Sequence, residues 1–151
     1  MAQRFDLLIS NASIVDGTGA PGYAGDIAVN ADRIVQIGHL EKARAHLEID
    51  ASGKAAAPGF IDAHTHDDRL LLSAPDMAPK VSQGVTTVVC GNCGISASPY
   101  GRTDIPHLIS LSVKKVENLA KTFGEFAGKV EAAKPAINGA FLIGHSLLRF
   151  D

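Results

Sequence analysis

The stretch GFIDAHTHDD, residues 59–68, decides how this chain is interpreted. Its histidines, His64 and His66, are two positions apart. On an extended strand alternate side chains point to the same face, so both imidazoles can reach one ion. On a helix, with roughly 100° per residue, the same two rings would point about 200° apart. Pro58-Gly59 and the apolar pair Phe60-Ile61, which precede the histidines, favour an extended segment. Neutral imidazole nitrogens suit zinc, so we predict part of a metal site here, against the alternative of two surface histidines near a strand end.

A second polar stretch, VVCGNCGIS at residues 88–96, contains Cys90 and Cys93, the two cysteines of the chain. A redox pair should open a helix, whose N-terminus lowers the thiol pKa, but glycine, serine and proline follow. A zinc ribbon needs a second such pair, and the sequence has none. In a third interpretation Cys90 closes a strand as a small buried hydrophobe and Cys93 lies just beyond it, facing the histidines if the two strands are neighbours. Two inert thiols are the remaining alternative.

The residues before this region, 1 to 57, indicate a small β-sheet unit. Two apolar runs, Leu7 to Ile9 and Ile14 to Val15, are predicted as separate short strands, and residues 26–38 are predicted as a hairpin. From residue 58 the pattern changes. Residues 59–66 are predicted to form a short buried-type strand, and the β-branched run VTTVVC at 85–90 a strand covered on both faces.

A helix and a third strand complete the predicted organisation. Leu119, Phe123, Phe126 and Val130 recur at helical spacing, and Pro135 should end that helix. Lys115, Glu117, Lys121, Glu125 and Lys129 supply its polar side. The segment INGAFLIGH, residues 137–145, then predicts a strand, so the order implies parallel β/α units.

The end of that third strand, GHSLLR at residues 144–149, also carries polar side chains. His145 is a candidate to line a cavity, and Arg149 a candidate to hold a carboxylate with two hydrogen bonds. Equally, His145 could bond to backbone and Arg149 could lie at the surface. Three strand ends with polar residues are the layout of a (β/α)₈ barrel, whose active sites lie at the carboxyl ends of the strands.

Composition restricts the remaining function classes. The chain has 151 residues, 46% hydrophobic and 20% charged, which indicates a globular protein. A net charge of −2 gives no electrostatic case for binding nucleic acid or an anionic membrane. Two cysteines are too few for a disulfide scaffold, and neither a signal peptide nor a membrane span is recognisable. We therefore expect a soluble protein of the cytoplasm; oligomeric state is left open.

Several motifs together resemble a known family. APGFIDAHTHDD, residues 57–68, resembles the metal-binding strand of the amidohydrolase superfamily. PKVSQGVTTVVCGNCGISASP, residues 79–99, is similar to the second strand and loop of the N-acyl-D-amino-acid deacylases, and GHSLLR resembles their third strand end. The H-x-H alone marks the superfamily, whereas the G-N-C-G-I-S loop after S-Q-G-V-T-T is much more specific.

The resemblance implies a fold, a cofactor and a reaction. Residues 1–57 would be the N-terminal share of a small β-sandwich, and residues 58–151 the first β/α units of a (β/α)₈ barrel, about three of its eight strands. His64, His66 and Cys93 would ligate zinc, one ion or two. A metal-activated water would hydrolyse the amide bond of a small N-acyl-D-amino acid, giving a carboxylate and a D-amino acid.

The main difference between this sequence and the family is its length. A complete barrel takes about 250 residues, and the resemblance places the remaining histidine ligands and a general-base Asp on later strands, so no catalytic residue is assigned in this chain. We expect an incomplete barrel that is inactive alone. The alternatives are a non-catalytic metal-binding fragment and, from another class, a redox protein that uses Cys90 and Cys93.

Overall fold

A computed structural model describes residues 4–101, 104, 105, 107, 110 and 119–150. The chain divides into two compact units, the first ending at Pro58 and the second beginning at Gly59. No helix among the described residues combines the length and the apolar composition that a membrane span requires.

The first unit is a mixed five-stranded sheet. Its strands are β1 (Arg4–Ile14), β2 (Tyr23–Asn30), β3 (Arg33–Gly38), β4 (Arg44–Asp50) and β5 (Ala55–Ala56). The order is β3-β2-β1-β4, with β5 also pairing with β1. The pairs β1–β2 and β2–β3 are antiparallel, which confirms the predicted hairpin, whereas β4 and β5 run parallel to β1.

The prediction of two short strands before residue 16 is wrong, because β1 is one continuous strand with a bulge. Its register against β2 shifts between Ile9 and Ala12, and Asn11 there has φ of +60°. The backbone N–H of Asn11 donates to Asp26 at 2.9 Å, and its side chain donates to Asp50 at 3.0 Å. The polar residues that indicate a turn in the sequence therefore form a bulge in the strand. Residues distant in the chain supply the hydrogen-bond partners of Asn11 there.

The second unit is a parallel β/α arrangement. Its elements are β6 (Phe60–Asp62), α1 (Leu70–Ser73), α2 (Ala78–Val81), β7 (Val85–Cys90), a 3₁₀ turn (Asn92–Gly94), α3 (Phe123–Ala133), β8 (Asn138–Phe141) and α4 (His145–Phe150). The sheet has the order β6-β7-β8, and both pairs are parallel. The predicted parallel β/α order is therefore confirmed for this unit. Its core packs α1, α3 and α4 around β7, through Leu71, Met77, Val88, Cys90, Phe126, Val130 and Leu147, and Met77 is the residue before α2.

Three predicted elements differ from the structure in extent. The strand predicted over residues 59–66 is regular only at Phe60–Asp62. Its apolar side chains are not buried: Phe60 is 67% and Ile61 66% exposed, because β6 is an edge strand within the described residues. Helix α3 begins at Phe123, so Leu119 precedes it, buried. Thr122 starts the helix by accepting a hydrogen bond from the Glu125 N–H, while the Glu125 side chain accepts one from the Thr122 N–H.

The polar side predicted for that helix is only partly described. Lys115 and Glu117 lie outside the described residues. Lys134, in the left-handed conformation, caps the end of α3 one residue before Pro135. The third strand stops at Phe141, and His145 opens a helix rather than ending a strand.

Candidate metal centre

The two histidines of the H-x-H motif follow strand β6 instead of lying within it. β6 ends at Asp62, yet the N–H of Thr65 donates to Val89 O at 3.0 Å, which continues the parallel pairing with β7 beyond the regular strand. Thr65 is 5% exposed, whereas His64 and His66 on either side of it are exposed. The alternation that the sequence predicted therefore persists past the strand, and both rings share the outer face.

Cys93 lies in the tight turn after β7. Gly91 and Cys93 both have positive φ, +85° and +56°. A Cβ on Gly91 would come within 2.0 Å of Leu142 O, so only glycine allows this close approach. The side chain of Asn92 donates to Val89 O at 2.8 Å and closes the turn. This conformation directs the thiol of Cys93 toward the histidines.

These three side chains meet at one place. His64 Nε2 and Cys93 Sγ are 3.1 Å apart, and the rings of His64 and His66 lie 5.9 Å apart between centroids. One ligand atom from each of His64, His66 and Cys93 lies within 4.8 Å of the others. Two imidazole nitrogens and one sulfur are donors that zinc accepts, so the residues present fit a zinc ion. In the part of the chain that the structure describes, no other group of three such residues converges in this way.

The chain is similar to known deacylases along nearly its whole length. A family model described as "Amidohydrolase family" matches residues 47–115, which include all three candidate ligands. D-aminoacylase of Alcaligenes xylosoxydans xylosoxydans is 45% identical over 148 residues, 98% of this chain and 31% of that protein. The chain belongs to the N-acyl-D-amino-acid deacylase family of the amidohydrolases. This member spans about a third of the length of the curated relatives it matches.

Two solved structures extend the comparison of this deacylase-family chain. A D-aminoacylase, in a study of its binuclear metal centre, is similar with a TM-score of 0.91 and 46% identity over 96% of this chain and 31% of that chain. An N-acyl-D-glutamate deacylase from Bordetella bronchiseptica, solved with zinc and a phosphonate that mimics the tetrahedral intermediate, gives a TM-score of 0.90 and 41% identity over 97% and 31%.

The other cysteine of this deacylase-family chain, Cys90, is part of the hydrophobic core. Cys90 is fully buried at the end of β7, with its Sγ 3.4 Å from the hydroxyl of Thr65. Burial, reinforced by the nearby charge of Asp68, raises the pKa of the Cys90 thiol to about 12. A thiol that stays protonated at neutral pH is a poor redox partner, which argues against the redox interpretation of Cys90 and Cys93.

An ion-pair network brackets the two histidines, and the sequence did not reveal it. The ammonium of Lys80 lies 2.7 Å from Asp62 Oδ2 and 3.0 Å from Asp67 Oδ2. The hydrogen bond from Lys80 lowers the pKa of the Asp62 carboxyl, and Asp62 and Asp67 in turn raise the pKa of Lys80. The sequence does show acidic residues on both sides of the H-x-H motif. It does not show that Lys80, which is distant in the chain, pairs with both of them.

Asp68 is a second residue that sequence reasoning missed. Its side chain is 1% exposed, and its Oδ1 accepts a hydrogen bond from the Ala97 N–H at 3.2 Å. Its buried Oδ2 has no hydrogen-bond partner among the described residues. Desolvation raises the pKa of the Asp68 carboxyl. The pattern H-D-D gives no indication of which aspartate is buried.

The two residues predicted to line the substrate site lie on α4. The N–H of Gly144 donates to Ser96 Oγ at 3.0 Å, and a Cβ on Gly144 would come within 2.4 Å of Gly94 O, so α4 begins against the turn that carries Cys93. His145 and Arg149 are both exposed. His145 is not part of the convergent ligand group, and contact of either residue with substrate stays a prediction.

Proposed function

We propose that this chain supplies metal ligands to a zinc-dependent enzyme that hydrolyses the amide bond of N-acyl-D-amino acids, giving a carboxylate and a D-amino acid. The observation that carries the proposal is the convergence of His64, His66 and Cys93 to within 4.8 Å. Membership of the deacylase family supports the reaction class.

Each of the three ligands has a defined task. His64 and His66 offer neutral imidazole nitrogens, and Cys93 offers a thiolate, which forms when its proton is released on binding. Zinc, when bound, supplies an activated water and polarises the substrate carbonyl. All three side chains are exposed, so a small substrate can approach them. Whether one ion or two is held follows from the ligands added by the rest of such an enzyme.

The architecture and setting of the enzyme are part of the same proposal. We infer that residues 58–151 form the first β/α units of a (β/α)₈ barrel, supported by the parallel order β6-β7-β8, and that residues 1–57 form a share of a β-sandwich. Arg149 is proposed to hold the substrate carboxylate and His145 to line the site. We place the enzyme in the cytoplasm.

We also infer that the 151-residue chain alone binds zinc without turning over substrate. The resemblance assigns the general-base Asp and further histidine ligands to later barrel strands. Incubating the purified, zinc-loaded chain with N-acetyl-D-leucine, N-acetyl-D-aspartate and N-acetyl-D-glutamate tests this directly, because release of any free amino acid above the buffer rate would contradict it.

The catalytic part of the proposal is best tested in a chimera. The aligned segment of Alcaligenes D-aminoacylase, 45% identical over 148 residues, is replaced by this chain. The chimera should release D-amino acids from N-acyl-D-amino acids and leave the L enantiomers intact.

The matched control is the same chimera with Cys93→Ser, which should lose zinc and activity together. A folded, zinc-loaded chimera that hydrolyses no N-acyl-D-amino acid would refute the proposed function.

A further inference from the structure

We propose that Lys80 is a positioning residue of the metal centre: its ammonium ties Asp62 to Asp67 and thereby fixes the segment that carries His64 and His66. The inference rests on the proposed function, because it concerns the zinc affinity of the same ligands. It assigns no direct contact with metal or substrate to Lys80.

The network spans the two ends of the histidine segment. Asp62 is the last residue of β6 and Asp67 directly follows His66. Lys80 Nζ lies 2.7 Å from the first carboxylate and 3.0 Å from the second. The side chains of Lys80, Asp62 and Asp67 are 19%, 34% and 13% exposed, so solvent screens these ion pairs less than at an open surface. One cation thus joins both ends of a six-residue segment.

Lys80 itself is held by the core of the unit. It lies on α2, whose preceding residue Met77 is 1% exposed. The N–H groups of Lys80 and Val81 both donate to Met77 O, at 2.8 Å and 3.0 Å. The ammonium therefore connects the histidine segment to a buried anchor rather than to a mobile surface chain.

The opposite side of the segment is fixed by strand β7. Thr65 donates its N–H to Val89 O, and its hydroxyl lies 3.4 Å from Cys90 Sγ. With Lys80 on the carboxylates and Thr65 on β7, the backbone between His64 and His66 has little freedom. Ligands held in place before the metal arrives lose less conformational entropy on binding, which strengthens the affinity.

Charge gives Lys80 a further effect. If the ammonium were removed, the carboxylates of Asp62 and Asp67 would lose the cation that they share. Asp67 is largely buried, so water would screen the two negative charges poorly. Their repulsion would move them apart and displace the histidines between them. With Lys80 present the network keeps one net negative charge, which still favours a cation at the adjacent imidazoles.

The test is zinc affinity, measured by competition with a chelator on the 151-residue chain. Lys80→Met should weaken zinc binding about 10- to 100-fold, the usual loss for a partner that orients a metal ligand. Lys80→Arg keeps a cation whose planar guanidinium can pair with both carboxylates and should recover most of the affinity. Lys121→Met removes an exposed lysine of the same unit and should leave the affinity unchanged.

A second variant guards against simple unfolding. Lys80→Met combined with Asp67→Asn removes the repulsion while leaving the segment untied. It should melt near the wild-type temperature without metal, yet bind zinc more weakly. In its metal-free NMR spectra the imidazole signals of His64 and His66 should broaden or double, a change that a general loss of stability would not produce.

The outcomes separate this inference from the proposed function. Suppose that the Cys93→Ser variant loses zinc while the Lys80→Met variant binds zinc as tightly as the wild type. Lys80 then has no positioning role, and the proposed metal site is retained. If the Cys93→Ser variant binds zinc as tightly as the wild type, the proposed metal site is wrong, and the role of Lys80 is refuted with it.

Discussion

His64 Nε2 and Cys93 Sγ lie 3.1 Å apart although 29 positions separate them in the chain. The parallel pairing of β6 with β7 produces this contact, because the carboxyl ends of parallel strands meet at one edge of a sheet. Cys90, only three positions from Cys93, closes β7 inside the core. In the structure the thiol of Cys93 therefore lies against His64, while Cys90 is buried in the core.

The two cysteines should respond differently to the same substitution. Cys93→Ser removes a proposed zinc ligand and should lower zinc affinity at least about 100-fold, more than loss of an outer partner costs. Cys90→Ser places a hydroxyl in the core, within reach of Thr65, and should cost about 1 kcal/mol of stability while zinc affinity is retained. Chelator competition and thermal melting measure both effects. Equal losses of zinc affinity in the two variants would contradict the assignment.

The turn after β7 should depend on Gly91. Gly91→Ala requires a left-handed Ala and a Cβ 2.0 Å from Leu142 O, so we expect a loss of about 2–4 kcal/mol in the free energy of unfolding. Denaturant unfolding gives this value.

Gly124→Ala is the matched control for that variant. Gly124 lies in α3, and a Cβ there meets nothing within 4 Å. The substitution should stabilise the chain by up to about 1 kcal/mol, since Ala favours a helix. Equal effects of the two substitutions would refute the close approach at Gly91.

Asp68 should make stability depend on pH. Burial raises its pKa in the folded chain, so the folded state takes up a proton before the unfolded state does. Wild-type stability at neutral pH therefore carries the cost of a buried carboxylate, which is relieved as pH falls through the raised pKa.

Asp68→Asn keeps an acceptor for Ala97 and removes the charge. The variant should melt at a higher temperature than the wild type at pH 8 without metal, and the difference should shrink toward pH 4. Melting curves across that range measure it; a difference that does not change with pH would contradict the buried charge.

The start of α3 should depend on the hydroxyl of Thr122. Thr122→Ala removes the acceptor for the Glu125 N–H, at 3.2 Å, and should cost about 1 kcal/mol. Thr122→Ser retains the hydroxyl and should be close to neutral. If both variants unfold at the same denaturant concentration, the cap does not contribute.

Local pattern was sufficient where neighbouring residues determine the structure. The period of two at His64 and His66 predicted their shared face, and the β-branched run at 85–90 predicted β7. The glycines around Cys93 indicated a turn rather than a helix, which placed the thiol beyond the strand. These features depend on backbone geometry within a few residues.

Pattern failed where distant partners decide. The bulge at Asn11 is satisfied by Asp26 and Asp50, which the local sequence does not reveal. Helical spacing extended α3 back to Leu119, but the capping box at Thr122 sets its start. The tie from Lys80 to Asp62 crosses 18 positions and depends on how α2 packs.

The proposed function requires that His64, His66 and Cys93 bind a zinc ion together. X-ray absorption at the zinc edge, on the chain loaded with one equivalent, measures the ligand shell directly. We expect one sulfur near 2.3 Å and two imidazole nitrogens near 2.0–2.1 Å, with the sulfur lost in Cys93→Ser. A shell of oxygen and nitrogen alone in the wild type would contradict it.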